Sequence, residues 1–303
     1  RHEVQFMLNR FFVVSLGWGL AWKRALMDMV RGVPAIYLVF GNFDEVAHRR
    51  GPFSQQAANE LVQADRALEE LYAMAKTVED PYDVVLVTDH GHVDSAPFEQ
   101  RTGRKLAEYL LEPEPAPLSD QVVRALRDGR ALREAPRPGA MHPVVIEAGN
   151  FSHVYLTRSS EPLDALEILA HHPSLLARAV NSPDIGIVAL RRGDSAVAII
   201  GNAVYGPEEI DRSPLASAFS RRAVADLLRE LKHMPTAGDL VLYGEATRSG
   251  GTVGFAWEFG SHGGLTQTET DSVVMWPVDA PIDLRGLTHA TQLHQKLSEV
   301  YRN

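Results

Sequence analysis

The sequence predicts an α/β fold, a central, mostly parallel sheet flanked by helices, and three stretches carry that expectation. Residues 35–40 (AIYLVF) and 84–88 (VVLVT) are short apolar runs rich in β-branched and aromatic residues, the composition of strands. Between them, Ser54–Val78 places Ala57, Leu61, Ala64, Leu68, Leu71 and Ala75 at three- and four-residue spacing, which forms one apolar stripe on a helix. A strand, a helix and a second strand with an unbroken apolar run describe a βαβ unit. Its parallel strands are expected to be covered on both faces.

The remaining elements follow the same logic. Leu8–Arg31 reads as a helix that stops at Gly32 and Pro34. Its apolar part, FFVVSLGWGLAW at 11–22, ends at Lys23-Arg24 and falls short of the roughly 20 apolar residues that a membrane span needs, so it reads as a buried or interface helix. Strands are expected at Ser152–Leu156, Ile185–Leu190, Ala196–Ile200, Asp239–Tyr243 and Ser272–Trp276, and helices at Pro162–Ala170, Pro214–Leu231 and His289–Tyr301. Residues 112–143 are rich in proline and read as a surface excursion or linker within one catalytic-type domain spanning 1–303.

Composition narrows the chemistry. The 303 residues carry a formal net charge of -9 with a pI near 5.7, which argues against a nucleic-acid binder held by phosphate contacts. There is no cysteine, so disulfides, thiolate metal sites and a cysteine nucleophile are excluded. Any metal must be held by carboxylates and imidazoles, and there are 12 histidines.

In parallel sheets, functional residues gather where strands end. After AIYLVF comes GNFDEVAHRRGP, in which Asp44 and His48 stand four apart and share a face of a helical turn. The second strand runs into Asp89-His90-Gly91-His92. Far downstream, EFGSHGG sets His262 in a glycine-rich loop. Oxygen and imidazole donors together suit zinc and related divalent ions, and a catalytic site keeps three protein ligands with one position open. Asp44, His48 and His262 would make one such set. Asp89 and His90, being adjacent, would form half of a second. His92 reads either as a hydrogen-bonding neighbour of a ligand or as a loop residue at the surface. Arg49 and Arg50 either contact a phosphate or face solvent. His171-His172 reads as surface, because no partner motif accompanies it.

Together, FDEVAHRRGP, VVLVTDHGH and EFGSHGG resemble the alkaline phosphatase superfamily, within it the type I phosphodiesterase/nucleotide pyrophosphatase branch. The resemblance implies an alkaline-phosphatase-like fold and two divalent ions, zinc with manganese or iron as alternatives. Asp44, His48 and His262 would hold the first ion, Asp89 and His90 the second. It implies hydrolysis of a small phosphate ester by two-metal, in-line phosphoryl transfer, with a Thr or Ser nucleophile. The alternatives within the superfamily are a phosphomonoesterase or a sulfatase-like hydrolase; outside catalysis, the alternative is a metal-binding module without a nucleophile. The chain departs from the family pattern in carrying Ala47 where Gly commonly precedes the histidine. No strand followed by Asp and a Thr or Ser stands ahead of Asp44, so the sequence is expected to begin inside a longer reading frame, with the nucleophile upstream of Arg1. The resemblance further implies membrane attachment through such upstream segments.

Overall fold

The computed structural model describes residue 4 and residues 16–113, 116–127, 140–157 and 161–302. In chain order the helices are α1 (Gly17–Val30), α2 (Asn42–Arg50), α3 (Gln55–Thr77), α4 (Phe98–Thr102), α5 (Leu106–Leu110), α6 (Asp120–Arg127), α7 (Ala165–His171), α8 (Pro173–Asn181), α9 (Arg221–Leu231), α10 (Gln267–Thr270) and α11 (Ala290–Tyr301). The strands are β1 (Leu86–Val87), β2 (Val93–Pro97), β3 (Ala140–Ala148), β4 (Phe151–Thr157), β5 (Ile185–Arg192), β6 (Ser195–Ile200), β7 (Ala203–Tyr205), β8 (Leu240–Gly244), β9 (Thr252–Gly254), β10 (Gly260–Ser261) and β11 (Val274–Met275). The chain divides into two compact units, one of residues 1–46, 55–89 and 272–303, the other of residues 47–54 and 90–271.

In the first unit, α1 and α3 bury Ala25, Met29, Leu71 and Ala75, with Trp22, Leu26 and Leu68 against them. The apolar stripe that marked α3 in the sequence supplies its half of this core. Ile36, Leu38 and Phe40 pack on the same cluster, whereas Tyr37 and Val39, the alternate residues, point outward and are exposed. This segment alternates as a strand does, yet it enters no ladder among the described residues. The Tyr82 hydroxyl donates to the Val33 carbonyl oxygen at 2.5 Å, tying the end of α3 to the turn after α1. The part of the expected first helix at Leu8–Ser15 lies outside the described residues.

The second unit is built on a six-stranded sheet of order β3-β4-β8-β5-β6-β7, in which every neighbouring pair is antiparallel. Alternation along β5 and β8 sends Val188, Leu190, Leu240 and Leu242 to one face, where they meet Leu110 of α5, Leu126 of α6, Ile168 of α7 and Leu176 of α8. Ile187, Ala189, Val241 and Tyr243 point to the other face, against Val224, Leu228 and Leu231 of α9. Helix α6, inside the proline-rich stretch, buries Val122 and Leu126 in the first of these cores. Residues 114–115 and 128–139 of that stretch lie outside the described residues.

The α/β class holds, with helices and strands in both units, but the direction of the strands differs from expectation. Among the described strands only β2 and β9 pair in parallel, and β1 pairs antiparallel with β11. The reason lies in what an apolar run records. It reports that both faces of a strand are covered, as they are along β5, and says nothing of which way the neighbour runs.

One histidine of the large sheet makes stability depend on pH. His153 on β4 accepts a hydrogen bond at Nδ1 from the Gly238 backbone N–H at 3.0 Å. Burial, and secondarily the positive charge of Arg191, hold its pKa below the ordinary value. Burial and the charge of His171 do the same to His172. The unfolded chain therefore takes up these protons first. The stabilisation is complete above a pH of about 6.5 and is lost as pH falls from there toward the folded-state values. In chelator-treated protein, the urea midpoint is expected to fall between pH 7.5 and pH 5, and to fall less in His153→Gln, which keeps an acceptor that does not titrate. An equal fall in both proteins would remove His153 from this account.

Candidate metal centre

The second unit also contains a small three-stranded sheet of order β10-β2-β9, and this sheet assembles the site. Gly260 pairs with Asp94 and Ser261 with Val93, antiparallel. Continuing that register by one step sets His262 opposite His92, just beyond the end of the ladder. Their ring centroids are 5.4 Å apart.

His48 reaches the same place from the last turn of α2. The Phe259 backbone N–H donates to the His48 carbonyl oxygen at 2.8 Å, and the Ser95 N–H donates to the Phe259 carbonyl oxygen at 3.0 Å, so helix end, β10 and β2 are stitched in a row. The close approach requires glycine at 260, because a Cβ there would run into the Ala47 carbonyl oxygen. The His48 ring lies 4.8 Å from the rings of both His92 and His262.

Asp44 precedes His48 by one turn of the same helix. One ligand atom from each of His48, His92 and His262 lies within 4.8 Å of the other two. All three side chains are partly buried. Three imidazoles are a donor set suited to zinc and its neighbours.

The protonation pattern of His48 follows from its partners. Its Nδ1 lies 3.0 Å from Glu258 Oε2 and 3.0 Å from the Gly260 carbonyl oxygen, both acceptors, so Nδ1 carries a proton.

Behind His262, the loop is fixed by a buried carboxylate. Glu269, 3% exposed, accepts from the Gly264 N–H at 3.0 Å, the Thr266 N–H at 3.2 Å, the Thr266 hydroxyl at 2.6 Å and the Asn150 amide at 2.9 Å. Its own carbonyl oxygen accepts from the Gly91 N–H at 3.1 Å, which anchors the Asp-His-Gly-His turn. A Cβ at Gly91 would collide with the Thr268 carbonyl, so only glycine allows that contact.

Of the residues that the sequence singled out, the structure brings His48 and His262 together within the second unit, while Asp44 belongs to the first. The His90 ring stacks on that of His262, with centroids 3.7 Å apart and planes 18° from parallel. Asp89, next to it in the chain, is exposed and belongs to the first unit. His92, for which a surface position was the alternative, belongs to the group. Glu258 and Glu269 were not singled out. The signal for Glu258 was its place four residues before His262; nothing local marks Glu269 except the Thr-x-x-Glu capping pattern that opens α10.

Among the described residues no helix is long and apolar enough to cross a membrane. No curated protein sequence matches the chain. In solved structures the chain is similar to murine ectonucleotide pyrophosphatase/phosphodiesterase 5, with 14% identity, a TM-score of 0.47, and coverage of 84% of this chain and 52% of that one. An inactive form of the same murine protein in complex with AMP matches with the same identity and TM-score, over 84% of this chain and 51% of that one. The chain thus spans about half the length of these relatives. The profile of the type I phosphodiesterase/nucleotide pyrophosphatase family matches residues 24–183, which is more than half of the chain and includes α2 and the Asp-His-Gly-His turn. The chain belongs to the type I phosphodiesterase/nucleotide pyrophosphatase family.

Proposed function

We propose that the chain carries the metal-binding part of a divalent-metal-dependent phosphoric ester hydrolase that acts on phosphodiesters and pyrophosphates. The observation that carries this reading is the convergence of His48, His92 and His262 on one point in a chain of this family. Asp44, His48 and His262 would hold one ion, with His92 as an added donor on the same side. Asp89 and His90 would hold the second, with His90 adjoining the first set through its stack on His262. Zinc suits these donors, and manganese or iron is the alternative.

Bound divalent ions would supply Lewis-acid activation of the phosphoryl group and of the attacking hydroxyl. The chain's own residues do the rest. Glu258 and Gly260 hold a proton on Nδ1 of His48, which would leave Nε2 as the nitrogen to bind an ion. The rigid ladder between β2 and β10 fixes the spacing of His92 and His262, and Glu269 keeps the loop after His262 from drifting. The attacking hydroxyl would be that of a Thr or Ser, as the resemblance implies. The substrate is a small phosphate ester.

Elemental analysis of the purified chain, beside His262→Ala and His48→Ala, tests the site. The parent is expected to hold tightly bound divalent metal, and each substitution to weaken the first ion by at least 100-fold. Ion at 100 times its dissociation constant should raise unfolding stability by about 2.7 kcal/mol in the parent alone. Bis(p-nitrophenyl) phosphate should be preferred over p-nitrophenyl phosphate in a chelator-sensitive assay. A folded parent that binds no divalent ion would overturn the reading.

A further inference from the structure

We propose that Glu258 is a positioning residue for His48: it holds the proton on Nδ1 and so reserves Nε2 of the ring for an ion. The inference rests on the metal-centre reading and adds to it a residue that stands 210 positions from the histidine it serves.

A neutral imidazole can carry its proton on either nitrogen, and what selects the nitrogen in a protein is the partner on the opposite side of the ring. Free histidine in water favours the proton on Nε2, the form that would block a ligand placed as His48 is. Two acceptors reverse that preference here. The Gly260 carbonyl oxygen and Glu258 Oε2 each lie 3.0 Å from Nδ1. Of the two, the carboxylate is the stronger, because the hydrogen bond to it is charge-assisted. Carboxylates that hold the far nitrogen of a ligating imidazole fix its tautomer and raise its basicity as a ligand.

Glu258 is itself held for the task. Its N–H donates to the Ala256 carbonyl oxygen at 2.9 Å, and the next residue, Phe259, is bonded through its N–H to His48 and through its carbonyl to Ser95. The backbone that carries the carboxylate is therefore tied directly to the residue it orients. Its side chain is 31% exposed and that of His48 23%, so the pair is sheltered without being sealed. A carboxylate serving only as a solvated surface group would need neither the backbone tie nor a second acceptor converging on the same nitrogen.

The experiment uses the whole chain, uniformly 15N-labelled, at pH 8. Long-range 1H–15N correlation of the chelator-treated protein reads the tautomer of His48, assigned by comparison with His48→Gln. Competition with a chromophoric chelator then reads zinc affinity. The parent is expected to show the proton on Nδ1. In Glu258→Ala the ring should shift toward the other tautomer and zinc binding should weaken 10- to 100-fold. Glu258→Asp should recover part of both, and thermal unfolding of the metal-free proteins should change little. A tautomer and an affinity unchanged in Glu258→Ala would overturn the proposal, and so would a loss of affinity that Glu258→Asp fails to relieve at all. If the parent binds no zinc, the metal-centre reading fails by itself, and the tautomer of the metal-free protein still decides whether Glu258 holds the proton.

Discussion

Replacing Gly260 with alanine should loosen the metal centre and destabilise the second unit together, by about 3 kcal/mol. The new Cβ would run into the Ala47 carbonyl oxygen and lie 2.9 Å from Pro52 Cδ. Neither obstacle can step aside, since one is helix backbone and the other a proline ring. Relief requires β10 to back away from the last turn of α2. That movement stretches two bonds, from the Phe259 N–H to the His48 carbonyl and from His48 Nδ1 to the Gly260 carbonyl. Overpacking of this kind costs roughly 1–3 kcal/mol, and each net hydrogen bond about 1 kcal/mol. The measurement is a pair of urea titrations, with zinc affinity determined in parallel and expected to fall at least tenfold. A variant with the parent's midpoint and affinity would show that the strand has slack which the static contact conceals.

The second large effect is expected at Glu269. Truncation to alanine removes the acceptor for four donors at once: the Asn150 amide, the Gly264 N–H, the Thr266 N–H and the Thr266 hydroxyl. Asn150 and Thr266 are each 2% exposed, so water cannot readily replace the carboxylate. Buried donors left without partners cost about 1–3 kcal/mol each before relaxation, and a total of about 4 kcal/mol is expected. Glu269→Gln keeps the shape but turns one acceptor oxygen into a donor, and should cost about half as much. Equilibrium unfolding of the three proteins checks the order. Equal stability of parent and alanine variant would mean that the loop repacks around a new arrangement. A dangling loop would also leave His262 without a fixed position, so zinc affinity should fall with stability.

The contrast between these glutamates and the histidines shows what the sequence could reveal. Asp44 and His48 were legible because helical spacing alone sets them on one face, and the expected helix Ser54–Val78 appears as Gln55–Thr77 because its stripe is a local property. His262 stood out through its glycine-rich surroundings. His92 could not be placed, since its position depends on the register of β2 against β10, and no local pattern encodes which residue of a distant strand will face it. Glu258 and Glu269 act on partners reached only through the fold. The strand directions were misjudged for a related reason. Apolar runs in β5 and β8 report covered faces, and those faces are covered by helices on both sides of an antiparallel sheet.

The stitching of Phe259 to His48 also dictates when the centre can come into being. The two partners of the imidazole–carboxylate bond lie 210 residues apart, and closing so long a flexible loop costs about 5 kcal/mol of chain entropy, more than that bond returns. The six-stranded sheet lies within that interval, and once folded it shortens the effective tether. During synthesis, His48 therefore emerges far ahead of Glu258 and waits for the sheet. The centre is a late product of folding, and a chain released before residue 258 has no means of assembling it.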